Sequence, residues 1–223
     1  MSAVWGILLA AGSGARFGGP KQYRDLGGRT LLQRSLDPLL DCCDGVVLVL
    51  PGGAPPSGPS GRAEPGWGHR VAVVDGGATR AGSVRAALAA VPPGAGIIVV
   101  ADAAHPLASA ALVRLLVDQV EAGADGAIPG LPLTEVIGKV SADGVLVGSL
   151  PRAGHVLVQT PHAFRADLLR RAHADGADGV EDSAMVAALD VDGRPARVVV
   201  LPGEPANLHV TTVAELDLAR RLV

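Results

Sequence analysis

Aromatic residues are almost absent from this chain. Its 223 residues include two tryptophans, one tyrosine and two phenylalanines, so a core must be built from alanine, valine and leucine. The same scarcity argues against the base-stacking platforms of single-strand nucleic-acid binders. Excess basic charge is lacking too. Nineteen Lys and Arg stand against 22 Asp and Glu, a formal net charge of −3, which offers no general field for nucleic acid. No apolar run approaches the ~20 residues of a membrane span, and the N-terminus has neither a basic region nor a signal-like cleavage pattern. The two cysteines, Cys42 and Cys43, are adjacent, which is poor geometry for an ordinary disulfide. Neither has a His or Cys at metal-ligand spacing, which argues against structural zinc. They read as buried or partly buried thiols in a reduced, cytoplasmic setting.

What the chain has is alternation. Strand-like runs at Val4–Leu9, Gly45–Leu50, Val71–Val74, Ile97–Ala101, Ala127–Pro129 and Val198–Leu201 are separated by helical patterns. Those patterns lie at Leu31–Leu40, Ser83–Val91, Ala108–Ala122, Ala166–Ala174, Asp182–Leu189 and Thr212–Leu222. This predicts an α/β fold with a mostly parallel sheet and helices on both faces. The length suits one domain over residues 1–223. Two segments break the pattern. Pro51–Gly68 is rich in Gly, Pro and Ser and reads as a long mobile loop with no assigned function. Leu131–Leu157 mixes short β-like pieces with turn signals, which predicts a β-arm that leaves the sheet and returns as a hairpin. Such an arm serves an interface or is a plain surface flap.

Ligands gather at the carboxyl ends of parallel strands, so the loops there carry most of the functional information. The first run empties into Ala10-Ala11-Gly12-Ser13-Gly14-Ala15-Arg16-Phe17-Gly18-Gly19-Pro20-Lys21-Gln22-Tyr23. A glycine-rich turn after a strand presents backbone N–H groups to an anion. Arg16 and Lys21 add two fixed cations, which suits a triphosphate attacked at its α-phosphorus. The dinucleotide pattern G-x-G-x-x-G fails because its last position is Phe17, and the Walker pattern fails because Lys21 follows Pro20 and precedes Gln22.

Further candidates follow other strands. Asp102 closes a strand run, where a carboxylate is placed to hold Mg²⁺ against phosphate oxygens; the competing reading is a turn or N-cap aspartate. In Gly76-Gly77-Ala78-Thr79-Arg80-Ala81-Gly82-Ser83, Ser83 contacts a ribose or base, caps a helix, or does both. Arg80 approaches a phosphate or pairs with a carboxylate. Thr160 offers a hydroxyl, and Arg152 a bidentate clamp for a phosphate; the competing reading of Arg152 is a solvated surface charge. Glu181-Asp182-Ser183 reads as a helix start with a capping role. Thr211 or Thr212 caps the last helix.

Taken in order, these motifs resemble the 2-C-methyl-D-erythritol 4-phosphate cytidylyltransferases of the non-mevalonate isoprenoid pathway. The likeness runs through Ala10-Ala11-Gly12-x-Gly14-x-Arg16, Pro20-Lys21-Gln22-Tyr23, Gly76-Gly77-x-x-Arg80-x-x-Ser83-Val84, Asp102-Ala103-Ala104-x-Pro106, Gln159-Thr160-Pro161 and Asn207-x-x-x-Thr211-Thr212. The resemblance implies a Rossmann-like nucleotidyltransferase fold and a homodimer in which the 131–157 arm reaches the partner's site. It implies CTP and Mg²⁺, with a substrate phosphate attacking the α-phosphorus of CTP. By position, Arg16 and Lys21 would stabilise the transition state. Ala10, Ala11, Gly12, Ser13, Gly14, Gly77, Ala78, Ser83 and Ala103 would line the CTP site. Asp102 would sit by metal and substrate, and Arg152 and Thr160 would position the polyol phosphate.

The acceptor side departs from the family pattern. The family's His-Asp-Ala-Ala-Arg-Pro is here Ala101-Asp102-Ala103-Ala104-His105-Pro106. Its Asp-Thr-Ile-Lys corresponds to Glu135-Val136-Ile137-Gly138, with Lys139 one place along, and the lysine of its Asn-Ile-Lys is His209. Two strong cations and a hydroxyl are thereby lost around the acceptor. A hydrogen bond to a charged group contributes roughly 1.5–3 kcal/mol. Protonation of His105 and His209 beside a phosphate would restore part of that charge, so the family reaction predicts activity that improves toward the histidine pKa. The alternatives are transfer to a different polyol or sugar phosphate, and a catalytically weak nucleotide-binding homologue.

Overall fold

The computed structural model describes residues 2–52, 67–174, 176 and 181–223, so most of the Gly/Pro-rich segment read above as a mobile loop lies outside the described residues. The elements in chain order are β1 (Ala3–Leu9), β2 (Asp25–Leu26), β3 (Arg29–Thr30), α1 (Leu31–Cys42), β4 (Gly45–Leu50), β5 (Val71–Asp75), α2 (Arg80–Ala90), β6 (Ala95–Asp102) and α3 (Ala110–Glu121). They continue with β7 (Gly126–Pro132), β8 (Ile137–Val140), β9 (Leu146–Leu150), β10 (Val156–Val158), β11 (His162–Arg165), α4 (Ala166–His173), α5 (Asp182–Ala187), β12 (Asp190–Val191), β13 (Arg194–Pro195), β14 (Val198–Pro202) and α6 (Val213–Arg220).

An eight-stranded sheet runs in the order β10-β7-β11-β6-β1-β4-β5, with β14 also paired to β7. The β1–β4, β1–β6, β4–β5 and β7–β14 pairs are parallel, while β10 and β11 run antiparallel to their neighbours. The chain steps outward from β1 to β4 and β5, then returns to the other side of β1 as β6. That reversal is a switch point, and sheets of this kind carry their ligand crevice there, outside the carboxyl ends of the strands. Leu9 pairs with Asp102 across it, so the two loops that follow begin level with each other.

Alternation of side chains explains why the central strands are apolar throughout. Every residue of β4 is buried. Val46, Leu48 and Leu50 pack in the layer with Leu36 of α1 and Leu116 of α3. Val47 and Val49 pack in the opposite layer with Val84 of α2 and Leu168 of α4. A strand covered on both faces has no solvent side on which to place polar residues. Truncating a fully buried leucine such as Leu36 to alanine would cost about 2–5 kcal/mol. A third, smaller cluster of Phe17, Leu26, Leu31, Val210, Leu216 and Ala219 pins the first glycine-rich loop to the C-terminal helix.

Several local expectations change. Helix α2 begins at Arg80 rather than Ser83, because the Thr79 side chain caps it by accepting from Gly82 N at 3.0 Å. The reading of Ser83 as an N-cap is therefore wrong. Strand β7 continues to Pro132 and pairs with β10 over Gly130–Pro132. The excursion beyond the sheet is thus shorter than 131–157, and its protruding part is the β8–β9 hairpin. Strand β11 is an addition to the predicted elements; four residues containing a histidine and an arginine carry no strand signal until β6 and β7 flank them.

Candidate active site

The first wall of the crevice is the loop after β1. Gly14 (φ +67°), Gly18 (φ +84°) and Gly19 (φ +150°) adopt conformations that side chains rarely take. A β-carbon on Gly14 would collide with the carbonyl of Gly19, and the turn is closed by Gly19 N donating to Gly14 O at 3.1 Å. Phe17 is buried as the loop's apolar anchor, which leaves Arg16 exposed beside it. Ala10 is buried, Ala11 and Gly14 are half-buried, and Gly12 and Ser13 are exposed. Lys21, half-buried, donates from Nζ to Val210 O at 2.6 Å. Burial and the Arg16 charge hold its pKa below the ordinary lysine value, against the opposing pull of Asp102 and Glu215.

The second wall is the turn before α2. Gly76 packs so closely on Ala11 that any β-carbon there would overlap it. The buried Ser83 Oγ accepts from Gly77 N at 3.1 Å. Ser83 thus braces the turn from inside the helix, and Gly77 and Ala78 remain exposed.

The third wall joins Asp102 to Thr160 and the two histidines. Ala103 N donates to Leu9 O at 2.9 Å, which ties β6 to β1 beside the loop. Asp102 N donates to Thr160 Oγ1 at 3.2 Å. The same hydroxyl lies 3.0 Å from His105 Nδ1, within hydrogen-bond distance. Thr160 is held in turn by Asn207 Nδ2, which donates to its carbonyl at 2.9 Å. Gln159 Nε2 donates to the carbonyls of Glu204 and Asn207. His105 stacks on His209 with ring centroids 4.6 Å apart. Burial, then His209, pushes His105 down to about 3. His209 is also lowered, by burial and then Lys21. The free protein therefore has an uncharged imidazole stack where the sequence pattern pointed to protonation for replacement cations.

Behind Asp102 lies a charge network that sequence reading missed. Arg80 Nη1 lies 2.7 Å from Asp182 Oδ2, while Nη2 lies 3.5 Å from Asp102 Oδ2. Asp182 is 1% exposed, and its other oxygen is 3.0 Å from His173 Nε2. Of the two readings left open for Arg80, pairing with carboxylates is the one observed. The capping role read for Glu181-Asp182-Ser183 is overturned, because the residue before α5, Glu181, makes no capping hydrogen bond and Asp182 turns inward to Arg80. His162, fully buried and pushed down to about 4 by burial, has Nδ1 3.3 Å from Glu181 Oε1. His162, Glu181 and Asp182 lie within 4.8 Å of one another. Both oxygens of Asp182 are already engaged, however, and the Arg80 guanidinium supplies the positive charge, so this group does not fit a metal ion. Only the acidic pair at 181–182 carries any sequence signal for the network; His162 and His173 carry none.

The remaining candidates lie on the arm. Glu135, Val136, Lys139 and Arg152 are exposed, and Arg152 Nη1 donates to Thr134 O at 3.2 Å. Among the described residues no hydrogen bond or ion pair joins them to Lys21, Asp102 or Thr160. One chain thus brings Arg16, Lys21, Asp102, Thr160, His105 and His209 to one crevice and leaves the arm residues outside it. Backbone donors, two cations and a part-exposed carboxylate at a switch point are groups of the chemistry that a phosphorylated nucleotide requires. Among the described residues no helix is long and apolar enough to cross a membrane.

Comparison with known proteins identifies the family and its fold. The family model described as IspD, 2-C-methyl-D-erythritol 4-phosphate cytidylyltransferase, matches residues 4–223. The enzyme of that name from Rhodococcus jostii (strain RHA1) is 40% identical over 226 residues, spanning 99% of this chain and 95% of the relative. That from Nocardia farcinica (strain IFM 10152) is 35% identical over 233 residues, spanning 99% and 94%. Among solved structures, the 2-C-methyl-D-erythritol 4-phosphate cytidylyltransferase of Thermus thermophilus superposes with a TM-score of 0.76 at 32% identity, covering 100% of this chain and 98% of its own. On the match over residues 4–223 and these identities, the chain belongs to the 2-C-methyl-D-erythritol 4-phosphate cytidylyltransferase family.

Proposed function

We propose that this protein transfers a cytidylyl group from CTP to 2-C-methyl-D-erythritol 4-phosphate, the reaction of its family, in the synthesis of isoprenoid precursors. An acceptor phosphate oxygen forms a bond to the α-phosphorus of CTP. The bond from that phosphorus to the bridging oxygen breaks, and its electron pair leaves with pyrophosphate. The observation that carries this reading is Lys21. Its ammonium is fixed by Val210 O at the mouth of the glycine-rich loop, within the electrostatic reach of Asp102.

The residue roles follow from position and chemistry. Backbone N–H groups of the turn after Ala10, whose own N–H is held by Val49 O, face the triphosphate, and Ala103, Gly77, Ala78 and Ser83 form the nucleoside side. Lys21 and Arg16 neutralise charge that grows on the phosphorus oxygens and the departing pyrophosphate; removing one such stabilising group costs about 10²–10³-fold in kcat. Asp102 suits Mg²⁺. It is a single hard carboxylate at a strand end with only the long 3.5 Å contact to Arg80 among the described residues, and magnesium is commonly held by one or two carboxylates together with substrate phosphates. When bound there, Mg²⁺ would neutralise phosphate charge. Thr160, His105 and His209 border the acceptor.

The arm supplies the rest. Val136, Val140, Leu146 and Val147 are all more than half exposed, more apolar surface than a hairpin leaves in water without a partner. We therefore take the protein to be a homodimer in which Glu135, Val136 and Arg152 approach the partner's acceptor site. Free thiols at Cys42 and Cys43 suit a reducing cytoplasm.

Pyrophosphate release from CTP, Mg²⁺ and methylerythritol phosphate tests the reading, with Lys21→Ala as control. Turnover that needs Lys21 is expected; silence in the presence of bound CTP would overturn it. The uncharged His105–His209 stack favours one second reading, an acceptor other than methylerythritol phosphate. A panel of polyol and sugar phosphates, ranked by kcat/KM, decides between them.

A further inference from the structure

Arg80 stands between two carboxylates and favours one. Its short contact, 2.7 Å, goes to Asp182, and its long one, 3.5 Å, to Asp102. Asp182 is the stronger anchor for a structural reason. Its carboxylate is 1% exposed and is fixed from the other side by His173 at 3.0 Å, whereas the Asp102 side chain is 25% exposed at the end of β6. Glu181 adds a third negative charge on the α5 side of the guanidinium. Asp102 attracts the guanidinium at least as strongly by charge alone, so the short hydrogen bond to Asp182, joined by the smaller charge of Glu181, holds it on the α5 side.

The consequence concerns the cation site. A guanidinium docked fully on Asp102 would occupy its oxygens with two parallel hydrogen bonds and would oppose any divalent ion there by charge repulsion. We propose that Asp182 is a positioning residue that withholds Arg80 from Asp102, leaving that carboxylate open to a divalent cation while a positive charge stays nearby. The inference rests on the reading of Asp102 as the Mg²⁺-holding residue. His173 acts one step further back, keeping the Asp182 carboxylate turned toward Arg80 rather than toward the crevice.

Binding of Mn²⁺ to the full-length protein in the presence of CTP, followed by electron paramagnetic resonance, tests this without turnover. Asp182→Asn is expected to raise the Mn²⁺ dissociation constant about tenfold, by releasing Arg80 onto Asp102. Adding Arg80→Gln to that variant should return the constant to the native value, which a merely structural role for Asp182 would not do. Native-like binding by Asp182→Asn, or no recovery in the double variant, overturns the proposal. If Asp182→Asn fails to fold, Arg80→Gln alone decides, since it leaves the Asp182–His173 pair intact. Binding as tight as native or tighter supports the proposal, and tenfold weaker binding overturns it. Asp102→Asn separates the two levels: native-like Mn²⁺ binding by that variant would remove the metal reading of Asp102 itself.

Discussion

His105 and His209 stack with their ring centroids 4.6 Å apart and their planes 10° from parallel. Two imidazolium rings cannot share that geometry without strong repulsion, and burial already holds His105 down to about 3. The pair therefore offers shape and at most one positive charge to an acceptor phosphate.

A permanent charge at the more exposed member of the stack should restore what the pair lacks. His209→Lys is expected to lower KM for the acceptor about tenfold, within the range of a charge-assisted hydrogen bond. KM for CTP should stay unchanged. Steady-state kinetics with each substrate varied in turn checks both halves.

The buried histidines also set an acid limit on stability. His105 and His162 lie at about 3 and about 4 in the folded chain, against 6.5 for the ordinary group. Between those values the unfolded chain binds more protons, so stability rises with pH through this window and falls as pH drops below 6.5. Each histidine would contribute roughly 2 kcal/mol of loss at pH 5. The urea midpoint at pH 5 should be lower than at pH 7, and His162→Gln should narrow the difference. Glu215 adds to the loss at lower pH. Burial raises its pKa, but hydrogen bonds from Thr211 and Thr212 outweigh this and hold it at about 2.

Gly14 is where the glycine-rich loop depends on the missing side chain. With φ at +67° and the Gly19 carbonyl in the place of a β-carbon, Gly14→Ala must open the turn. Strain of about 1–3 kcal/mol corresponds to roughly a tenfold loss of CTP affinity by titration calorimetry. The thermal midpoint should also fall by a few degrees, since strain in the folded loop is a cost to the folded state.

The apolar hairpin predicts the oligomeric state. Val140→Asp with Leu146→Asp places charge on two residues that are 57% and 68% exposed. Sedimentation velocity is expected to show a monomer, with the far-ultraviolet spectrum unchanged. A dimer that survives both substitutions would mean that the arm is not its interface.

Much of this is legible in the chain itself. The β1, β4 and β6 runs are readable because strands buried on both faces must be apolar throughout. The Arg16/Lys21 loop is readable because glycines with positive φ and paired cations are spelled in contiguous sequence. Bounds fail where a cap decides them. Thr79 starts α2 three residues before Ser83, and nothing in the helical periodicity separates the two. Strand β11 escapes the pattern because its four residues become a strand only when β6 and β7 provide hydrogen-bond partners on both sides.

The sequence by itself determined the layered α/β architecture, the glycine-rich loop with its paired cations and the loss of strong cations at positions 105 and 209, since each depends on local pattern or residue identity. Only the tertiary structure decided that Arg80 turns to Asp182, 102 residues away. It also decided that His105 and His209 meet face to face and that the arm residues lie outside their own chain's crevice. Those relations depend on distance through space between segments remote in sequence, and on the burial that sets their charge.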